Sequence, residues 1–375
     1  MKKVFEKVEI GTLELKNRIV RSATWEGMCN VDGRPTDKLT KYYEQLAAGG
    51  VGLIVFGYTF VALEGKQQVG MAGIYTDDFA DEFKAVTNAV HREGGKVVIQ
   101  LVHAGGQANF ENSGYDTVAP SAIESNQYNT LPKELTEAQV ESLITAFADG
   151  ASRAKSWGFD GVQLHAAHGY LINQFLSPLT NRRTDRWGGD LTGRSRFLME
   201  VIKAVRARVG DDYPLMIKLN ADDNLDGGFS QKDAAVLCRH LDEILDAIEL
   251  SSGCAASGSL GPARTKINSV AQEGYNADFA IKIKKTVSVP IISVGGFRTY
   301  EKLNQVLKDG VDFVSMSRPF IFEPDLVNRW QSGDTAGAKC ISCNRCFITG
   351  VGGGIYCVQK RKLDYKKAKK EKDVN

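Results

Sequence analysis

The chain contains no apolar run approaching the ~18 residues that cross a bilayer, which argues against a membrane-spanning helix. Its opening, Met1-Lys2-Lys3-Val4-Phe5-Glu6-Lys7, lacks the apolar stretch and small-residue cleavage site of a secretory signal, so a cytoplasmic location is expected. It also lacks a basic face. The formal net charge is +2 over 375 residues, and positions 360–375 hold eight Lys/Arg against three Asp/Glu, a local excess of five. The rest is therefore near −3, which disfavours nucleic acid as a partner. The basic tail, 360–375, reads as a solvated, frayed end without fixed structure. No disulfide framework is evident: Cys29, Cys238 and Cys254 are scattered and read as reduced, small apolar residues. An early glycine-rich phosphate turn is missing too, which counts against a doubly wound sheet. Histidine is scarce, with five in all.

What is present is alternation. Short β-branched runs at 19–22, 51–56, 96–101, 161–164, 215–219, 247–250, 290–294 and 313–317 are strand candidates. Between them, 78–91, 136–157, 196–209, 231–245, 277–287 and 300–308 carry apolar residues at helical spacing. Eight such units with nearly continuous apolar strands predict a (β/α)8 TIM barrel. The opening segment around Gly11-Thr12 predicts an N-terminal hairpin under the barrel. The expected division is a barrel over 1–335, a cysteine-rich segment over 336–359 packed on it, and the basic tail.

In such a barrel the functional groups lie beyond the C-terminal strand ends. Two of the five histidines fall there together, in His165-Ala166-Ala167-His168-Gly169-Tyr170. Two imidazoles can donate to one anionic oxygen, and a phenol beside them can supply a proton. A metal site would need a third ligand, and none is obvious. The polar, turn-rich stretch 174–185 that follows reads as a large loop over a pocket. Lys218 at the end of strand five also admits a different chemistry, a Schiff-base aldolase.

Several motifs, taken in order, resemble the old yellow enzyme family of FMN-dependent ene-reductases. They are Leu15-Lys16-Asn17-Arg18-Ile19-Val20, Gln100-Leu101-Val102-His103-Ala104-Gly105, the stretch 165–185, Val294-Gly295-Gly296 and Ser317-Arg318-Pro319. The nearest branch is that of 2,4-dienoyl-CoA reductase and trimethylamine dehydrogenase. The resemblance implies FMN as cofactor, NAD(P)H as co-substrate and an activated alkene as small-molecule substrate. It places Ser22, Ala23, Thr24, Gly57, Tyr58, Gln100, His165 and Lys218 around the flavin ring. Gly295, Gly296, Ser317 and Arg318 would hold its phosphate. His165 and His168 would bind the substrate oxygen, and Tyr170 would deliver the proton. Lys218 stands where the family more often has arginine, and Trp25 takes a position usually small, either walling the pocket or simply packing. A homo-oligomer is expected for such a barrel.

Four cysteines remain, Cys340-x2-Cys343-x2-Cys346-x10-Cys357. This spacing suits a metal or cluster better than disulfides in a reducing compartment. Zinc, a [4Fe–4S] cluster and free thiols all stay open. The named branch carries a cluster at the corresponding place. A cluster here would call for an external one-electron partner such as a ferredoxin or an electron-transfer flavoprotein.

Overall fold

A computed structural model of the chain describes residues 2–124 and 130–374. Eight parallel strands, β1 (Ile19–Arg21), β2 (Leu53–Phe60), β3 (Val97–Val102), β4 (Val162–Ala166), β5 (Leu215–Asn220), β6 (Ala247–Ser251), β7 (Ile291–Val294) and β8 (Phe313–Met316), form a closed barrel. Each strand pairs with its neighbours in sequence, and β8 closes on β1 through Val314–Ile19, Ser315–Val20 and Met316–Arg21. The expected TIM barrel is therefore present. The hairpin Val8–Ile10/Leu13–Leu15 is there as well.

Around the barrel run α1 (Asp37–Ala48), α2 (Ala80–Arg92), α3 (Glu137–Ser156), α4 (Leu191–Val209), α5 (Gln231–His240), α6 (Ala277–Lys284), α7 (Tyr300–Lys308) and α8 (Leu326–Gln331). Side-chain caps set several starts, because the first N–H groups of a helix lack internal partners. Thr136 and Gln139 form a reciprocal capping box on α3, and Ser230 with Asp233 does the same on α5.

Strand periodicity explains why the site lies at one end. Val20, Val98, Met216, Ala247, Ile292 and Phe313 belong to one buried apolar cluster with Ile10, Leu13 and Leu15 of the hairpin. Side chains two residues apart share a face of a strand. The next inward layer is therefore Ser22, Gln100, Lys218, Glu249, Val294 and Ser315, and it is mostly polar. The barrel is plugged with hydrocarbon below and lined with hydrogen-bonding groups above.

Three stretches were not fully foreseen in the sequence. The stretch 174–185 starts in the last turn of a helix and runs on from Ser177 without helix or strand, and Gln174, Ser177, Leu179 and Thr180 line a second cavity of about 330 Å3, so the expected loop beside a pocket is present but closely held. Residues Leu171–Leu176 form a short helix that is wholly buried, Gln174 bonds Gly169 O and Ala104 O, and Arg183 donates to Pro120 O and Leu135 O. Buried polar side chains here satisfy backbone groups of neighbouring loops, so the segment is an internal brace. In the basic tail the backbone is helical over Val358–Val374. Lysine and arginine are good helix formers, and the described side chains of this helix from Lys360 onward are exposed. α1 also went unforeseen, although Leu39, Tyr43, Leu46 and Ala47 form its buried face.

Candidate active site

One cavity of about 560 Å3 opens above the polar layer. Ser22, Ala23, Thr24, Tyr58, Gln100, His165, His168, Tyr170, Lys218, Gly296, Ser317 and Arg318 all line it. Twelve of the predicted ring, phosphate and substrate residues, scattered over almost 300 positions of sequence, thus converge on one space. Two do not. Gly57 lies behind the wall, where its N–H donates to Tyr43 Oη at 2.8 Å and a side chain would run into Glu26. The carbonyl of Gly295 accepts from Gly274 N and Tyr275 N, at 2.7 and 3.2 Å, outside the lining. The β2 register shifts between Phe56 and Thr59, which turns Gly57 away while Tyr58 stays in the wall.

The histidine motif is held rigidly. Ala167 N–H donates to His165 Nδ1 at 3.3 Å, so the proton of the neutral ring sits on Nε2. The two imidazoles lie edge to face, with centroids 5.0 Å apart. Burial pushes the His165 pKa well below the usual histidine range, and the neighbouring His168 and Lys218 lower it further. His168 is lowered likewise by burial and by Lys218. Both rings are therefore neutral donors rather than imidazolium ions. His168 Nε2 lies 2.8 Å from Ser251 Oγ.

His168 has φ +64, in the left-handed region. The turn is supported from β5, where Asn220 Oδ1 accepts from His168 N at 3.2 Å, and from the helix Leu171–Leu176, where Asn173 Oδ1 accepts from Gly169 N at 2.6 Å. Buried Asp223 accepts from both amides, at 2.9 and 3.1 Å, and so fixes which way each points. Tyr170 Oη and Tyr58 Oη both donate to Gln67 Oε1, at 2.9 and 3.1 Å, and the two rings stack.

Sequence reasoning missed Gln67, Gln163, Asn220, Asp223 and Glu249. Gln163 and Glu249 were visible as polar residues inside apolar strands at inward positions. Gln67 and Asp223 sit in loops, and no periodicity marks them. At the β7–β8 rim Arg318 Nη1 donates to Arg264 O and Asn344 Oδ1, at 2.7 and 2.6 Å, and Arg298 joins the lining.

The cysteine-rich segment forms part of the wall. Ser342, Phe347, Ile348 and Val351 line the cavity, the last three from the helix Arg345–Val351. Trp25 both lines the cavity and packs closely on Gly350, so its two expected roles coincide. All seven cysteines are free thiols. Burial raises the pKa of Cys340, and raises that of Cys346 to about 11 with Cys340 and Cys357 contributing as neighbours. The donor chemistry suits a soft metal, but among the described residues no group of three or more His, Cys, Asp or Glu is arranged to hold an ion. The spacing brings the thiols into one segment without closing them into a ligand set. Among the described residues no helix is long and apolar enough to cross a membrane.

A family profile described as the NADH:flavin oxidoreductase / NADH oxidase family matches residues 3–336. A metal reductase of Desulforamulus reducens is 38% identical over 347 residues, covering 91% of this chain and 51% of the relative. An NADPH dehydrogenase of Geobacillus sp. is 36% identical over 324 residues, covering 86% of this chain and 91% of the relative. Among solved structures, a 2-naphthoyl-CoA reductase in complex with 2-naphthoyl-CoA superimposes with a TM-score of 0.89 at 28% identity, over 95% of this chain and 56% of that one. The chain thus spans about half the length of the metal reductase and the naphthoyl-CoA reductase.

Proposed function

Because the chain belongs to the NADH:flavin oxidoreductase / NADH oxidase family, we propose that it is an FMN-dependent NAD(P)H oxidoreductase of the ene-reductase type, acting on activated C=C bonds such as those of α,β-unsaturated carbonyl compounds. The cavity's chemistry fits FMN: amide, hydroxyl and cation at the strand ends on one side, and Gly296, Ser317 and Arg318 at the β7–β8 rim on the other. Bound FMN supplies hydride transfer.

The chain's own residues do the rest. Ser22, Ala23, Thr24, Tyr58, Gln100 and Lys218 orient the ring, and Lys218 offers positive charge to an electron-rich pyrimidine edge. His165 donates its Nε2–H to the substrate oxygen, where negative charge develops. His168 joins it when Ser251 donates to Nε2, which places the imidazole proton on Nδ1. Tyr170, positioned by Gln67, holds the proton for the substrate carbon. The observation that carries this proposal is a neutral, proton-bearing His165 facing the same cavity as Gln100, Lys218 and Arg318.

A Schiff-base aldolase is disfavoured, because Lys218 Nζ donates to Ser22 Oγ at 2.7 Å and pairs with Glu249 at 3.3 Å rather than standing as a free amine. As a test, purified protein carries yellow, protein-bound FMN, and His165→Ala lowers enone turnover about 10²–10³-fold while retaining the flavin. Undiminished turnover in that variant refutes the assigned role.

A second proposal concerns Cys340, Cys343, Cys346 and Cys357. The four cysteines stand in one short segment beside the cavity at the spacing Cys-x2-Cys-x2-Cys-x10-Cys, and a similar protein is named a metal reductase. We propose that they take up a [4Fe–4S] cluster served by a ferredoxin-like or flavoprotein electron carrier. Iron and sulfide analysis of anaerobically purified protein tests this, and iron-free protein with full activity excludes it from turnover. We further propose a cytoplasmic location, from the absence of a secretory pattern at Met1–Lys7, and a homo-oligomer, a common state of such barrels.

A further inference from the structure

Glu249 lies in the middle of β6 and is fully buried, at 0% exposure. Its Oε1 accepts from Ser22 Oγ at 2.8 Å. Its Oε2 accepts from Gln163 Nε2 at 2.9 Å and pairs with Lys218 Nζ at 3.3 Å. Lys218 Nζ also donates to Ser22 Oγ at 2.7 Å, and Gln163 Oε1 accepts from Gln100 Nε2 at 2.7 Å. Five side chains, four from β3 to β6 and one, Ser22, from the residue after β1, thus make one connected network, and three of them line the cavity.

An ionised carboxylate can only accept, so it dictates the direction of every proton around it. The Ser22 hydroxyl hydrogen must point to Glu249, which leaves its oxygen to accept from Lys218. The Gln163 amide must turn its nitrogen to Glu249, which leaves its oxygen facing Gln100. Gln100 must then turn its own nitrogen inward, and its oxygen remains for the cavity. The two ends of an amide are nearly equal in shape, and here one buried charge distinguishes them across two glutamines.

We propose that Glu249 is a positioning residue of the flavin pyrimidine subsite, whose carboxylate sets the hydrogen-bond polarity of Ser22, Gln163 and Gln100 and serves as the counter-charge of Lys218. This rests on the flavin assignment above. The groups acting on Lys218 are Glu249, Arg21, and the neutral His165 and His168. Burial lowers the lysine pKa and Arg21 adds to that, while Glu249 raises it by charge and by hydrogen bond. Glu249 therefore favours the charged lysine before any electron arrives. Without Glu249, burial and Arg21 act unopposed, which shifts the lysine toward the neutral amine at rest and leaves it to take up a proton when the adjoining ring becomes negative.

The test uses full-length protein reconstituted with FMN. In Glu249→Gln, proton uptake per FMN reduced, followed with a pH indicator under anaerobic conditions, rises above the parent's by up to one proton. Adding Lys218→Met to that variant returns the uptake to the parent's. A purely structural role would change stability but not this stoichiometry. Because breaking a buried ion pair is costly, Gln163→Leu provides a second variant that keeps both charges. It is expected to raise the FMN Kd roughly tenfold by releasing the Gln100 amide. Failure of the parent to bind FMN overturns the flavin assignment itself. An FMN-binding parent with unchanged Kd in Gln163→Leu, or unchanged proton uptake in Glu249→Gln, overturns the role of Glu249.

Discussion

A neutral histidine buried beside a cation leaves a signature in the pH dependence of stability. His165 is 3% exposed and its pKa lies well below the usual range, whereas in the unfolded chain it titrates near 6.5. Below about pH 6.5 the unfolded state binds a proton that the folded state refuses, so stability falls as pH falls. The slope from this one residue is up to about 1.4 kcal/mol per pH unit. Chemical denaturation of the parent and of His165→Gln between about pH 5 and 7 should show the variant losing less stability on acidification. Parallel curves would mean that His165 is charged in the folded protein. The pair His165/His168 was legible in the sequence because two rare residues stood together at a strand end. Its tautomer was not, because that is set by Ala167 N–H, a backbone group with no identity of its own.

At the scale of the element, the cysteine-rich segment is tied to Arg318, at the proposed phosphate end of the cavity, by one side chain. Asn344 accepts from Arg318 Nη1 through Oδ1 and donates through Nδ2 to Ala263 O at 2.6 Å. Its φ of +57 is left-handed, so Asn344→Gly removes the side chain without straining the backbone. That variant is expected to weaken FMN binding roughly five- to tenfold, corresponding to about 1–1.5 kcal/mol, the upper part of the range for one lost hydrogen bond. Equilibrium titration of the apoprotein measures it, and unchanged affinity would uncouple the segment from the phosphate subsite. The spacing of Cys340, Cys343, Cys346 and Cys357 announced a local unit. That the unit walls the main cavity through Phe347, Ile348 and Val351 was not readable, because the contact joins the end of the chain to Trp25 near its start.

For the whole molecule, the C-terminal helix Val358–Val374 adds little to the barrel. Its described contacts are local: Lys360 pairs with Asp364 at 2.9 Å and the Arg361 guanidinium lies over the Tyr356 ring at 4.7 Å. Truncation after Lys362 is expected to change stability by less than about 0.5 kcal/mol, as for surface changes away from any core. A thermal melt compares the two forms, and a large loss would place hidden packing in the tail.

The eight alternations, the hairpin and the polar strand ends follow from periods of 2 and 3.6 residues, which are properties of the chain alone. They sufficed to fix the barrel and to choose its working end. Which polar residues meet, and in which hydrogen-bonding sense, depends on closure of the barrel. Closure carries Glu249 of β6 to Ser22, just past β1, and to Gln163 of β4, 227 and 86 residues away. No local pattern encodes such distances. A buried carboxylate acquires its meaning only from the partners that the closed barrel puts around it.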